Sequence, residues 1–398
     1  MDTTTSRAGR IESIDLLRGA VMILMALDHV RDFFHFDSLI FSPTDLARTT
    51  PALFGTRLIT HLCAPTFIFL AGASAWFIAR RRTVSGASVF LVTRGLWLVL
   101  LQMTLIRFAW NFDPLFRYNS SNIISTIGFS MVALGALIHL PPRALLAVAL
   151  ALVLGHNALD RVSFSDGSAM DVAWSFLHVR KLYMLDATHS FLFLYPLVPW
   201  VGVMALGYLL GRLYDEDWSV ERRRPVLAML GAGSLAAFVL LRWVNIYGDP
   251  SPWAHQATPS LTAMSFLSLE KYPPSLDYLA LTLGVALLVL AAVEGRSLER
   301  LRPVATFGKV ALFYYVLHLF VIHLAASVAV ARAGFPLRTM VFPGSQTTPS
   351  PLLKGKFGFT LAETWAIWAC IVFLLYPFCA AWNSFKARHK AAWWVSYV

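Results

Sequence analysis

The first apolar segment carries a dense set of ionisable side chains. It reads Ser13-Ile14-Asp15-Leu16-Leu17-Arg18-Gly19-Ala20, continues apolar, and closes on Asp28-His29-Val30-Arg31-Asp32-Phe33-Phe34-His35. Ionisable groups at membrane depth are costly and usually line a polar path. Arg18 and His29 stand eleven positions apart, which on a helix leaves them within roughly 20° of one face and about 16 Å apart. A guanidinium there suits phosphate oxygens. An imidazole suits general-base or nucleophilic chemistry, and either role needs its neutral form near working pH. Asp32, three residues after His29, is expected to orient or charge-stabilise the ring. The plainer reading is a helix leaving the membrane, with Asp28 paired to Arg31 and Asp32 to His35 in water.

A second candidate group opens the next span, Arg57-Leu58-Ile59-Thr60-His61-Leu62-Cys63-Ala64-Pro65. Pro65 lacks an N–H, so the helix is expected to kink or leave a carbonyl free. With His61 one turn earlier, a polar pocket shared with His29 and His35 is worth proposing; a packing bend is the plainer reading. Arg107, Asn111, Arg242, Lys271, His318 and His323 complete the candidates, although a lone intramembrane His is more often a satisfied core residue. Gly207 and Gly211 form a Gly-x-x-x-Gly pair, whose commonest meaning is close helix packing. No metal-ligand spacing, nucleotide-binding glycine loop or nucleophile elbow is present, and no metal is expected.

Helices must position these groups. The chain has 398 residues, 57% hydrophobic and 14% charged, a balance that a soluble domain could not cover with polar surface. With roughly 20 apolar residues per crossing, about ten spans fit, near 14–34, 58–79, 88–110, 122–140, 143–159, 190–211, 225–246, 276–293, 304–331 and 361–385. The expectation is an all-α, polytopic membrane bundle forming one domain over 1–398. The formal charge of +11 sits in short blocks between apolar runs, such as Arg80 to Arg82 and Arg222 to Arg224, which is a membrane-loop pattern and not a nucleic-acid one. These blocks, with Arg7, Arg10 and the tail Lys386 to Lys390, predict both termini on the cytoplasmic side. The first span lacks a following cleavage site and is expected to be retained. Longer loops on the other side, near 35–57, 160–189, 247–275 and 332–360, are where an acceptor could be shaped. Trp110, Tyr195, Trp200 and Trp253 fit an interfacial aromatic belt. Cys63, Cys370 and Cys379 read as inert core residues.

The stretch Ser13 to Gly72, with Ile14-Asp15-Leu16-Leu17-Arg18-Gly19, Leu27-Asp28-His29-Val30-Arg31-Asp32 and the run from Pro65 to Gly72, resembles bacterial members of the heparan-alpha-glucosaminide N-acetyltransferase catalytic-domain family. Tyr195-Pro196-Leu197-Val198-Pro199-Trp200, Gly207-Tyr208 and Lys271-Tyr272-Pro273-Pro274-Ser275 share the likeness, which extends from about residue 10 to about 325. The Arg, ten residues, His arrangement is also similar to polysaccharide O-acyltransferases of the wider transmembrane acyltransferase superfamily. There the His is catalytic and the Arg holds the acyl donor, which implies those roles for His29 and Arg18. Lysosomal members have Asn at the position of His29 and their catalytic His further along, where His35 is the nearest counterpart.

The resemblance implies an acetyltransferase of the bacterial inner membrane. Acetyl-CoA would be the donor and the amine or hydroxyl of a sugar or glycan the acceptor on the outer side; a homodimer is compatible. His29, Asp28, Asp32 and His35 are then the catalytic candidates, and Arg18, Arg31, Arg57, His61, Arg107, Lys271 and His318 the binding candidates. Two rivals remain. A proton-coupled transporter would use the same Asp and His residues as a relay, although no duplicated halves with paired broken helices are visible. A non-catalytic assembly partner would tolerate replacement of His29, Arg18 and His61.

Overall fold

The computed structural model describes residues 11–341, 351–389, 392 and 395. Arg7, Arg10, Lys390 and the middle of the 332–360 loop lie outside the described residues. The helices in chain order are α1 Glu12–Phe34, α2 Pro51–His61, α3 Cys63–Ala79, α4 Val84–Leu101, α5 Arg107–Asn111 and α6 Ile123–Leu137. Next come α7 Pro142–Gly155, α8 Ala169–Leu177, α9 Leu197–Gly211, α10 Val220–Val244 and α11 Pro259–Leu267. The last are α12 Leu276–Val293, α13 Arg302–Lys309, α14 Ala311–Arg332 and α15 Leu361–Arg388.

Among the described residues, eight helical runs are long and apolar enough to cross a membrane, so the polytopic bundle stands with a smaller count than the ten spans expected. The other two runs are helical but differ in kind. α6 has 15 residues, about 22 Å against a hydrocarbon core of about 30 Å. α1 carries too many charges to face lipid, and the fold resolves this by wrapping it: α1 packs against α3, α13, α14 and α15. Helix crossings that matter to the site are close. A Cβ on Gly207 would overlap the Phe69 carbonyl oxygen where α9 crosses α3, and one on Gly19 would overlap the Val304 carbonyl where α1 crosses α13. Gly211 likewise packs on Trp76, so the Gly-x-x-x-Gly pair is a packing surface.

Two expected spans begin or break elsewhere. Residues 190–193 form a strand, not helix: β1 Tyr118–Ser121, β2 Lys181–Met184 and β3 Ser190–Phe193 make a sheet with β3 central, parallel to β1 and antiparallel to β2. Residues preceding proline avoid the α region, so helix waits until Pro196 is passed, and Pro199 sits in the first turn where its missing N–H costs nothing. Between α2 and α3 the helix breaks at Leu62. Pro65 cannot donate to the carbonyl four residues earlier, and that carbonyl, of His61, accepts the Tyr278 hydroxyl at 2.8 Å.

The aromatic belt is corrected in part. Trp110, Trp200 and Tyr195 are 3%, 0% and 7% exposed, so they are interior side chains. Trp243, 71% exposed and 6.3 Å from the ring of Trp253, occupies a belt-like position instead. Among the cysteines, Cys63 and Cys379 are buried and Cys370 is exposed.

Candidate active site

Two cavities open along α1, and Phe67 of α3 lines both. The first, of about 620 Å³, is lined by Arg18, Arg80, Arg81, Arg82, Arg94, Lys309 and Lys386, with Asp15 as the one carboxylate among the described residues that line it. Arg18 is fixed on every side. Its guanidinium reaches Asp15 at 3.2 Å, Ser74 Oγ at 2.6 Å, and the carbonyls of Leu70 and Gly308 at 3.5 Å. The close Gly19 crossing brings α13 near enough to supply the Gly308 contact. Arg80 is additionally paired with Asp215 at 3.2 Å.

The second cavity, of about 570 Å³, is lined by Asp28, His29, Arg31, Asp32, Arg57 and Lys271 together with Trp110, Tyr195, Tyr272 and Tyr315. Asp28 is the hub. It accepts Arg57 Nη1 at 2.5 and 2.7 Å and the Thr60 hydroxyl at 2.9 Å, and Arg31 Nη1 lies 2.8 Å away. Arg31 Nη2 donates to Asp32 at 2.7 Å. Asp32 is therefore held by Arg31 and not by the imidazole of His29, because the guanidinium beside it is the stronger charged partner. Lys271 is buried, with its ammonium 5.3 Å from the Tyr272 ring centre.

His29 is positioned by rings instead of hydrogen bonds. Trp110 meets it edge-on at 4.7 Å and His318 stacks on it at 5.2 Å. Both ring nitrogens are buried and have no hydrogen-bond partner among the described residues. His318 is fixed behind it, its Nδ1 donating to the Tyr314 carbonyl at 2.9 Å and its ring stacked on Tyr314 at 5.1 Å. Of the candidate histidines, His29 is the one that lines either cavity, and a ring with an unbonded nitrogen at a cavity wall can take a proton or an acyl group.

The remaining sequence candidates fall elsewhere. His35 lies past the end of α1, its Nδ1 donating to the Phe359 carbonyl at 3.0 Å, and it lines neither cavity. Burial holds its imidazole below the usual range, against the opposing pull of that carbonyl and of Asp37. His61 is buried against Tyr278 with ring centres 5.3 Å apart and also lines neither cavity. The shared pocket expected for His29, His35 and His61 does not form, because the break at Leu62 turns His61 toward α12.

Arg107 is a structural clamp. It donates to the Tyr118 carbonyl and to the Asp113 carbonyl at 3.0 Å, and its second Nη is 3.5 Å from the Asp113 carboxylate. Arg242, in the last turn of α10, does the same work, donating to the carbonyls of Phe266, Ser251, Ser265 and Ser268. Sequence reading missed Phe67 and Ser74, which no local signal marks inside an apolar run. It also misassigned Trp110, whose place against His29 depends on how α5 meets α1.

The chain matches the family described as heparan-alpha-glucosaminide N-acetyltransferase, catalytic, over residues 10–242. No curated protein sequence matches it. The match takes in Arg18, His29, Arg57 and Phe67 and stops short of Lys271 and His318, ending earlier than the likeness read from the motifs. With that match covering more than half of its length and eight helical runs able to cross a bilayer, the chain belongs to the heparan-alpha-glucosaminide N-acetyltransferase catalytic family and is a membrane acyltransferase.

Proposed function

We propose that this acetyltransferase takes its acetyl group from acetyl-CoA bound in the Arg18 cavity and delivers it to the amine or hydroxyl of a sugar in the His29 cavity, across the membrane. The observation that carries this reading is the pair of cavities meeting at Phe67, one of them strongly cationic. Coenzyme A is polyanionic at its nucleotide end, and guanidinium groups bind phosphate oxygens in charge-assisted, bidentate fashion. The basic blocks Arg80 to Arg82 and Lys386 would place that cavity at the cytoplasmic face of a bacterial inner membrane. Beyond Phe67 the wall is apolar, with Val21, Met22 and Met25 leading to His29.

In the direct mechanism, His29 accepts the O–H or N–H proton of the acceptor as its oxygen or nitrogen bonds to the acetyl carbon. The carbon–sulfur bond then breaks, and the imidazolium returns the proton to the departing thiolate, giving free CoA. In the two-step mechanism, a ring nitrogen of His29 bonds to the acetyl carbon as the carbon–sulfur bond breaks, and the ring N–H proton passes to the departing thiolate to give CoA. The acceptor oxygen or nitrogen then displaces the ring, which takes up the acceptor's proton. Both mechanisms use an imidazole with an available nitrogen. Asp28, held by Arg31, Arg57 and Thr60, would fix the geometry around the ring and, with Lys271, shape the acceptor site.

Purified protein in proteoliposomes, given acetyl-CoA and glucosamine as the acceptor probe, is expected to release CoA thiol without net movement of glucosamine. Glucosamine flux independent of acetyl-CoA would favour a transporter and overturn the reading.

A further inference from the structure

The helix that runs from one cavity to the other changes its pitch midway. α4 leads into a π-helical turn at Gln102–Ile106 before α5 resumes α geometry. Phe90, Arg94 and Leu98, spaced one turn apart, line the Arg18 cavity, and Trp110 lines the His29 cavity. Gln102 and Ile106 bound the π turn between these residues, and both are 0% exposed. Ile106 suits an apolar interior. Gln102 carries a primary amide, and neither its Oε1 nor its Nε2 has a hydrogen-bond partner among the described residues.

Buried amides without partners are rare because the lost hydration is not replaced. π-turns within α-helices are themselves rare and concentrate at functional positions. Here both features fall on one residue, which lines neither cavity itself but stands on the helical run between Leu98 of the Arg18 cavity and Trp110 of the His29 cavity.

We propose that Gln102 is a donor-binding residue whose side-chain amide hydrogen-bonds the pantetheine arm as that arm passes from Arg18 toward His29; this rests on the acetyl-CoA reading. The arm carries two secondary amides, each with one N–H and one carbonyl. Val21, Met22 and Phe67 offer them no side-chain hydrogen bond. A primary amide donates and accepts at once, so one side chain serves both ends of such a group. Gln102 acts on binding and does not touch the reacting atoms.

The test compares wild type with Gln102→Leu and the unbranched Gln102→Met, using isothermal titration with CoA and with 3′,5′-ADP, which has the nucleotide phosphates but no arm. The expected result is about tenfold weaker CoA binding in both variants, the size of one net hydrogen bond, with 3′,5′-ADP binding unchanged. The melting temperature of the ligand-free variants should be equal or higher, since an unpaired buried amide has been removed. Wild-type CoA affinity in the variants would overturn the assignment, as would a lowered melting temperature with equal loss for both ligands, which is the signature of a structural role. Failure of the wild-type protein to bind CoA would instead remove the donor reading, and the Gln102 assignment with it.

Discussion

At the Arg18 end of α1, seven cationic side chains and one carboxylate line the cavity among the described residues; at the His29 end, Asp28 and Asp32 gather Arg31 and Arg57 into one bonded network. A wall rich in one sign favours a ligand of the other sign, whereas a network centred on shared carboxylates fixes geometry. The histidines repeat the contrast. His323 has Nδ1 2.9 Å from the Ala109 carbonyl and Nε2 2.8 Å from the Met340 carbonyl, and His156 is held between the Val153 and Pro274 carbonyls. Those two tie segments together; neither nitrogen of His29 is hydrogen-bonded among the described residues.

The largest expected difference separates the two kinds of histidine. His29→Ala should lower thiol release by about 10²- to 10⁴-fold, the usual share of a general base, with the melting temperature nearly unchanged. His323→Ala should do the reverse, lowering the melting temperature and leaving turnover per folded molecule close to wild type. Equal turnover in a folded His29→Ala protein would remove the contrast.

Next in size is the hub of the His29 network. Asp28→Asn leaves Arg31 and Arg57 without their shared carboxylate, and breaking a buried pair in this way costs about 3 to 5 kcal/mol. Denaturant unfolding in detergent checks this, and a loss below 1 kcal/mol would mean that the network is solvated.

The cavities themselves are separated by a smaller pair of effects. Arg18→Gln should raise the KM for acetyl-CoA about tenfold, as expected for one hydrogen bond to a charged group, and leave the acceptor KM in place. Lys271→Gln should shift only the acceptor KM. Higher ionic strength should weaken the donor more than the acceptor. Steady-state kinetics at two salt concentrations would show whether the same variant moves both constants, which would merge the two sites.

The smallest effect lies outside both cavities. Burial raises the Asp113 carboxyl, but the Arg117 side chain and the backbone N–H groups of Arg117 and Leu115 outweigh it and hold the group below the usual carboxylate range. A depressed folded value means that Asp113 stabilises the fold above its unfolded value, about pH 4, and loses that contribution as pH falls further. Melting curves of wild type and Asp113→Asn should therefore differ at pH 7 and converge on acidification.

The crowding of charge in residues 13–35 was readable without coordinates, because an apolar helix does not carry Arg18 and His29 without a polar path. The effect of Pro65 was readable as a kink or a released carbonyl, but not that the carbonyl, of His61, would accept the Tyr278 hydroxyl. Which way His61 faced was not, since that depends on the turn at Leu62 and on Tyr278, some two hundred residues away. Trp110 and Trp200 were misplaced for a related reason: a hydropathy window shows where a span ends, but not whether that end meets lipid or another helix. Residues 190–193 joined a predicted span because an apolar strand and an apolar helix look alike over four positions, and only Pro196 and Pro199 argue for the later start. Phe67 and Gln102 acquire meaning only from the cavities on either side of them.

The most direct test is a structure of the protein with CoA bound. The expected result places the CoA phosphates among Arg18 and Arg80 to Arg82, the arm past a displaced Phe67, and the thiol beside His29. CoA bound elsewhere, or seated in the Arg18 cavity with its thiol directed away from Phe67, would contradict transfer through the joined cavities.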